Sequence, residues 1–215
     1  MTTTPTILCP LWFEARALAP LQHEGLATVV CTGPGPQRVA AAVADVAGDV
    51  PLVLAGLATA LTDELAAGDV VWAERICGVK PTPTLHMPAS TTPAAHGVAM
   101  CAVRDVLPNR PCRLAVARAM NAQVADLECQ AFAAAASHRS GPWGVVRGIS
   151  DDVNAQLPPV EAWVDTAGRT RRMHVAWWLA MHPGSIGRVM RLGRDASKAM
   201  VAVQRALAEI LAIGV

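Results

Sequence analysis

Two apolar runs in this 215-residue chain end in carboxylates, and that pairing restricts what the chain can fold into. Ala122-Gln123-Val124-Ala125-Asp126-Leu127-Glu128 is one, and Trp143-Gly144-Val145-Val146-Arg147-Gly148-Ile149-Ser150-Asp151-Asp152 is the other. Apolar runs of this length, bounded by glycine and proline, read as buried strands of a parallel sheet. Ligands of open α/β sheets bind beyond the carboxyl ends of the strands. Acids placed there sit where chemistry is done rather than where a chain needs solubility.

Strand-like and helix-like segments alternate around these runs. Thr6 to Leu11, Leu26 to Cys31, Pro51 to Leu57 and Asp69 to Ile76 read as strands, the last two joined through the turn signal Ala67-Gly68-Asp69. Pro36 to Val46 reads as a helix, with proline near its first position and an alanine-rich body. Gly78 to His96 holds Pro81, Pro83, Pro88 and Pro93 and reads as a long loop. Beyond it the expectation is helix over Gly97 to Val106, strand over Arg113 to Ala117, helix over Glu128 to Ser137 and strand over Gly144 to Ile149. From Pro158 onward the pattern is helical. The fold class expected is a three-layer α/β sandwich, with a mixed, largely parallel central sheet and helices on both faces. The length fits one domain spanning residues 1–215, with a basic helical C-terminal segment at about 158–215.

Composition removes several classes of function. With 53% apolar and 16% charged residues the chain is globular rather than disordered, and a net charge of +1 gives no global reason to expect nucleic acid. Cys9, Cys31, Cys77, Cys101, Cys112 and Cys129 lack any CxxC or ligand-like spacing, and most lie in or beside apolar runs. They read as reduced core thiols of a cytosolic protein, with no metal and no cofactor expected. No signal-peptide pattern opens the chain, and no uncharged apolar stretch reaches the roughly 20 residues that span a bilayer.

Each motif has a structural reading beside a functional one. Thr32-Gly33-Pro34-Gly35-Pro36-Gln37-Arg38 is a glycine turn from strand to helix, either a plain tight turn or an anion site made by backbone N–H groups. It lacks the third glycine of a dinucleotide fingerprint, which sets a Rossmann dehydrogenase well behind the other readings. Glu14, after the first strand, is either a first-turn residue favoured by the helix dipole or a third strand-end acid. Asp126-Leu127-Glu128 and Ser150-Asp151-Asp152 can both be helix caps.

Four segments, in the right order along the chain, resemble the purine nucleoside phosphorylase and methylthioadenosine/adenosylhomocysteine nucleosidase superfamily. Ala125-Asp126-Leu127-Glu128 before an alanine-rich helix is similar to its ribose-binding Asp-Met-Glu segment, with Leu127 in place of methionine. Arg147-Gly148-Ile149-Ser150-Asp151-Asp152 resembles its Arg-Ala-Ile-Ser-Asp segment, which carries the purine-facing acid. Cys31-Thr32-Gly33-Pro34-Gly35 and Glu64-Leu65-Ala66-Ala67-Gly68-Asp69-Val70-Val71 resemble its glycine turn and its L-x-x-G-D-v-v segment. The likeness runs from about Leu8 to Asn154. It departs at Gly56-Leu57-Ala58-Thr59-Ala60-Leu61, where the superfamily usually has Gly-Thr/Ser-Ala-Gly-Gly-Leu. Within the superfamily, His182-Pro183-Gly184 and Arg191-Leu192-Gly193-Arg194-Asp195-Ala196 resemble the hopanoid-associated branch, which is implied to release adenine from adenosylhopane.

The resemblance implies a nucleosidase that takes a purine nucleoside, lipid-linked in the hopanoid branch, works as a homodimer and needs no cofactor. Asp151 is then the general acid at the purine, Glu128 holds the ribose and stabilises its developing positive charge, and Glu14 orients or deprotonates the attacking water. Leu127, Ser150, Gly33, Gly56 and Ala58 line the same substrate. Two alternatives stay open. A phosphate-dependent phosphorylase would draw anion charge from Arg38 or Arg118. A non-catalytic nucleoside-binding or membrane-docking protein would have kept the fold without the reaction.

One stretch stands apart. Arg169, Arg171, Arg172, Arg188, Arg191, Arg194 and Lys198 face a single acid, Asp195, and so place seven of the 18 basic residues in one segment. Trp163, Trp177 and Trp178 lie in or beside it. Such a segment (163–198) is either a peripheral contact with the inner face of a membrane, or core and dimer tryptophans beside a solvated basic face.

Overall fold

The computed structural model describes residues 3–80, 82–84 and 95–213. Seven strands form one mixed sheet: β1 (Thr6–Cys9), β2 (Thr28–Cys31), β3 (Leu52–Ala60), β4 (Val70–Ile76), β5 (Ala95–Ala102), β6 (Val124–Asp126) and β7 (Trp143–Asp151). Six helices accompany them: α1 (Trp12–His23), α2 (Pro36–Asp45), α3 (Arg110–Met120), α4 (Cys129–Ala136), α5 (Arg172–Met181) and α6 (Ile186–Ile213). The α/β class and the mixed, largely parallel sheet are as expected. β1 pairs in parallel with β2 and β3, β3 with β7, and β5 with both β4 and β6. Two antiparallel pairings, β3 with β6 and β4 with β7, tie these groups together. Because β3 pairs with both β6 and β7, the strands β3-β6-β5-β4-β7 close on themselves, and β1 and β2 extend from β3.

Alternation along the strands sends neighbouring side chains to opposite faces. Leu8, Leu52 and Leu54 join Val39 and Val43 of α2 and Phe132, Ala133 and Ala136 of α4 in one cluster. Ile7, Val53 and Ala55 join Leu18 and Leu21 of α1 and Met200, Val203, Ala206 and Leu207 of α6 in the other. The sheet is therefore covered on both faces, which is why its strands read as near-continuous apolar runs.

Two sequence expectations are corrected. Gly97 to Val106, read as helix from its alanines, lies largely in β5, hydrogen-bonded between β4 and β6. Interior strand pairing overrides the weak helix preference of a short run of small residues. Arg113 to Ala117, read as strand, lies inside α3. The overlooked signals are local: the Asn109 side chain accepts from the Cys112 N–H at 3.1 Å, Pro111 fills the first turn, and Asn121 ends the helix in the left-handed conformation. The proline-rich loop at 78–96 lies partly outside the described residues, and its end, Ala95 and His96, belongs to β5. The C-terminal segment is helical except at 164–170, where Val164 and Thr170 form an isolated antiparallel bridge.

Candidate active site

β6 runs against β3 and hence against β7, which changes the premise that both acid clusters stand at the same ends of parallel strands. Ala125 sits opposite Thr59, and Gly56 sits opposite Arg147. The β6 acids therefore meet the middle of β7 at Arg147, while Asp151 lies four residues further, ~13 Å along the strand. One strand thus carries both a cation for the carboxylate cluster and a separate terminal acid.

Arg147 organises that cluster, and it is 1% exposed. Its Nε donates to Asp126 Oδ2 at 2.9 Å, its Nη2 also donates to that oxygen, and Glu128 Oε2 lies 3.8 Å from Nη2. Asp126 Oδ1 accepts from Cys129 N at 2.9 Å, so this acid also caps α4. Glu128 Oε1 accepts from the Gly35 N–H at 3.0 Å, at the N-terminus of α2, where the helix dipole favours a negative charge. Gly35 has φ 108°, a conformation that suits glycine and lets this N–H turn toward the carboxylate.

Glu14 does both things its position allows. As the third residue of α1 it accepts from Leu11 N at 2.8 Å through Oε2, and through Oε1 it accepts from Leu57 N at 2.8 Å. A Cβ on Gly56 would lie 2.6 Å from Glu14 Oε1 and 2.7 Å from Arg147 Nη1, so only glycine lets the acid and the cation approach this strand together. Burial pushes the Glu14 carboxyl up to about 7, against Arg147 and the two backbone donors, which pull it down. Burial, then the Asp126 charge, also raises Glu128. Burial alone would lower Arg147, yet Asp126, Glu128 and Glu14 together raise it, so the guanidinium stays charged. Fully ionised, three carboxylates and one guanidinium carry two net negative charges, a setting that stabilises a cation forming beside them.

Asp151 is held by different partners. Ser150 Oγ donates to its Oδ1 and lies 3.3 Å from the Ala58 carbonyl. Arg113 of α3, fully buried, places Nη2 2.7 Å from Oδ2. The N–H is not aimed along that contact, so Oδ2 keeps no directed hydrogen bond. Burial raises the Asp151 pKa, opposed chiefly by Arg113. Arg113 itself is fixed by the Leu107 and Asp152 carbonyls. The arrangement is a buried acid with Oδ1 held by Ser150 and Oδ2 against the Arg113 guanidinium.

The remaining expected site residues fall around these groups. Gly33 is buried against Thr166 O and the Arg38 side chain, Leu127 is half-buried between Asp126 and Glu128, and Ala58 contributes its carbonyl to Ser150. Leu57, Thr59 and Ala60, where glycine or a hydroxyl was expected, lie in β3; a register shift after Ala58 sets Thr59 opposite Asp151, and the Leu57 main chain still serves Glu14. Arg118 lines a cleft of about 430 Å³ with Thr62, Glu64 and Gln123, apart from the acids. Arg147 and Arg113 were missed as site residues. The signal for Arg147 is an unaccompanied arginine inside an apolar run, which once buried must be paired with acids; Arg113, with Arg110 and Arg118 on the same helix, carries no such signal.

Comparison by sequence finds no matching family model and no matching curated relative. Comparison of structures finds the same fold in nucleosidases. The chain is similar to Helicobacter pylori 5'-methylthioadenosine/S-adenosylhomocysteine nucleosidase with butyl-thio-DADMe-Immucillin-A (TM-score 0.66, 12% identity, 99% of each chain covered). It is similar to native futalosine hydrolase of the same organism (TM-score 0.66, 12% identity, 99% of each chain). A third is Arabidopsis thaliana 5'-methylthioadenosine nucleosidase in apo form (TM-score 0.66, 12% identity, 99% of this chain and 96% of that one).

Proposed function

We propose that the protein is a nucleosidase that cleaves the N-glycosidic bond of a purine nucleoside. The observation that carries this reading is the buried Arg147 with Glu14, Asp126 and Glu128 around it, one strand segment from the separately buried Asp151. N-glycoside cleavage needs a proton at the leaving base and negative charge beside a cation-like ribose. Asp151 supplies the first, donating to or hydrogen-bonding purine N7; its raised pKa suits an acid. Glu128 binds the ribose hydroxyls and, with the cluster, stabilises the oxocarbenium-like charge. Glu14, with a pKa of about 7, accepts the proton of the attacking water near neutrality. Gly33, Gly56, Ala58, Leu127 and Ser150 shape the pocket around base and sugar.

The substrate in this reading is a 5'-substituted adenosine such as adenosylhopane, with release of adenine in hopanoid lipid biosynthesis, by a homodimer in peripheral contact with the membrane. The sequence resemblance to the hopanoid-associated branch supports that narrower assignment. A phosphorylase remains the second reading because exposed Arg38 leans its side chain over Gly33 at the glycine turn. Incubation with adenosine and with hydrophobic 5'-substituted adenosines, with and without phosphate, separates the two. Free adenine and free sugar without phosphate are expected. A strict need for phosphate, with ribose 1-phosphate as product, would replace hydrolysis by phosphorolysis.

A further inference from the structure

Helix α5 has no buried residue, and the first half of α6, residues 186–198, is likewise exposed or half-exposed throughout. Met173, Trp177 and Met181 recur every fourth position on α5, and Ile186 and Met190 do so on α6, which places each set on one helix face. Met173 is 80% exposed, Trp177 69% and Met190 70%. The inner side of α5 is occupied, since Trp178 packs edge-on against buried Trp163 at 5.4 Å and stacks on His182. Trp163 is therefore a core residue and Trp177 a surface one. Exposed Arg169, Arg171, Arg172, Arg188, Arg191 and Arg194 lie on the same two helices or just before them, Arg194 on the Ile186–Met190 face, and among the described residues no carboxylate lies within ion-pair distance of them. Lys198 is engaged with the Ala67 carbonyl.

This surface stands at the site end of the molecule. Lys198 lies over Gly68, whose N–H bonds to Ile149 O, and Ala199 lies over Gly148, so α6 runs opposite to β7. Its thirteen residues before Ala199 then run ~20 Å from the level of Gly148 toward the Asp151 end of β7, and so reach ~10 Å past that end. The bridge segment leading into α5 rests on the glycine turn and the start of α1, with Thr166 O at Gly33 and the Gly168 carbonyl accepting from Trp12 N at 3.0 Å.

We infer that this apolar, arginine-rimmed face of α5 and α6 docks on an anionic lipid bilayer, with the site end of the molecule toward the lipid. Charge selects the occupant. Asp165 offsets Arg169 and Arg171, but the excess of arginines beside exposed methionine and tryptophan matches an anionic interface, where apolar side chains enter the acyl boundary and cations stay at the headgroups. Arg171 and Arg172 at the N-terminus of α5 stand against the helix dipole, a cost that lipid phosphates relieve. A two-fold pairing with a second copy would set like charges against each other. A nucleic acid would use the arginines but leave Met173, Met181 and Met190 in water. The inference deepens the lipid-linked substrate reading by naming the surface from which such a substrate is taken.

Vesicle co-sedimentation of the full chain tests it without turnover. A nucleosidase that ignores vesicles and a vesicle binder that releases no adenine are thus distinct results. Binding to phosphatidylglycerol-containing vesicles is expected, with far less to pure phosphatidylcholine and loss at high salt. Each surface cation contributes about a fivefold factor, so R191Q with R194Q weakens binding by about 25-fold. Trp177→Ser with Met181→Ser weakens it independently of salt; all four positions are exposed, and circular dichroism checks that the fold persists. Equal binding to neutral and anionic vesicles overturns the inference, as does binding unaffected by either pair. A homodimer that dissociates on Trp177→Ser, or displacement of the protein from vesicles by a DNA duplex, assigns the face to another partner.

Discussion

Replacing Arg147 by methionine removes the one cation among three buried carboxylates, and its effect can be worked through partner by partner. Glu14 keeps the Leu11 and Leu57 N–H groups, and Glu128 keeps the Gly35 N–H. Asp126 keeps Cys129 N at Oδ1, but both hydrogen bonds to Oδ2 come from Arg147. The loss therefore falls mainly on Asp126. Breaking a buried pair from one side costs about 3–5 kcal/mol, against a total stability of about 5–15 kcal/mol for a domain. The sign of the pH dependence follows from linkage. Without the guanidinium, Glu14 and Glu128 have native pKa values raised further above their unfolded ones. Stability tied to them is full below the unfolded carboxylate range and is lost as pH rises through the raised values. Urea unfolding of both proteins should show the full deficit at about pH 8 and a much smaller one at about pH 5. Adding Asp126→Asn removes the stranded charge and recovers part of the loss, a coupling that a double-mutant cycle reads directly. A deficit below about 1 kcal/mol, or one independent of pH, would refute the central placement of Arg147.

Other perturbations address single links. Activity should rise as pH climbs through about 7, the Glu14 value, and E14Q should abolish that limb and reduce kcat by about 10²-fold or more in a pH–rate series. Arg113→Met should move the alkaline limb of the same profile to higher pH, because the cation that opposes the raised pKa of Asp151 is gone; an unmoved limb would make Arg113 merely structural. Gly56→Ala puts a methyl 2.6 Å from Glu14 Oε1, and should cost about 1–3 kcal/mol in thermal unfolding together with most of the activity.

Much of the architecture was legible because the strands are buried on both faces and so appear as apolar runs. β1, β3, β4 and β7 stand close to where the runs placed them, and α2 begins at Pro36 after the glycine turn. β5 and α3 were exchanged in type, since a short alanine-containing run has no decisive period and the Asn109 cap outweighs it. The direction of β6 was not legible at all. It is set by pairing between Thr59 and Ala125, residues far apart in sequence, and only that pairing brings Asp126 and Glu128 to Arg147. The acids could be named from sequence because a carboxylate in an apolar run is conspicuous. The resemblance assigned Asp151, Glu128 and Glu14 to one site, but their spacing alone did not show that Glu14 and Glu128 share Arg147.

The most direct test of the account is adenine release from a hydrophobic 5'-substituted adenosine, followed chromatographically without phosphate, for the native protein and for Asp151→Asn. The account predicts steady release by the native protein and near-complete loss in a variant that unfolds at the native urea concentration. Equal release by both, or none by the folded native protein, would contradict it.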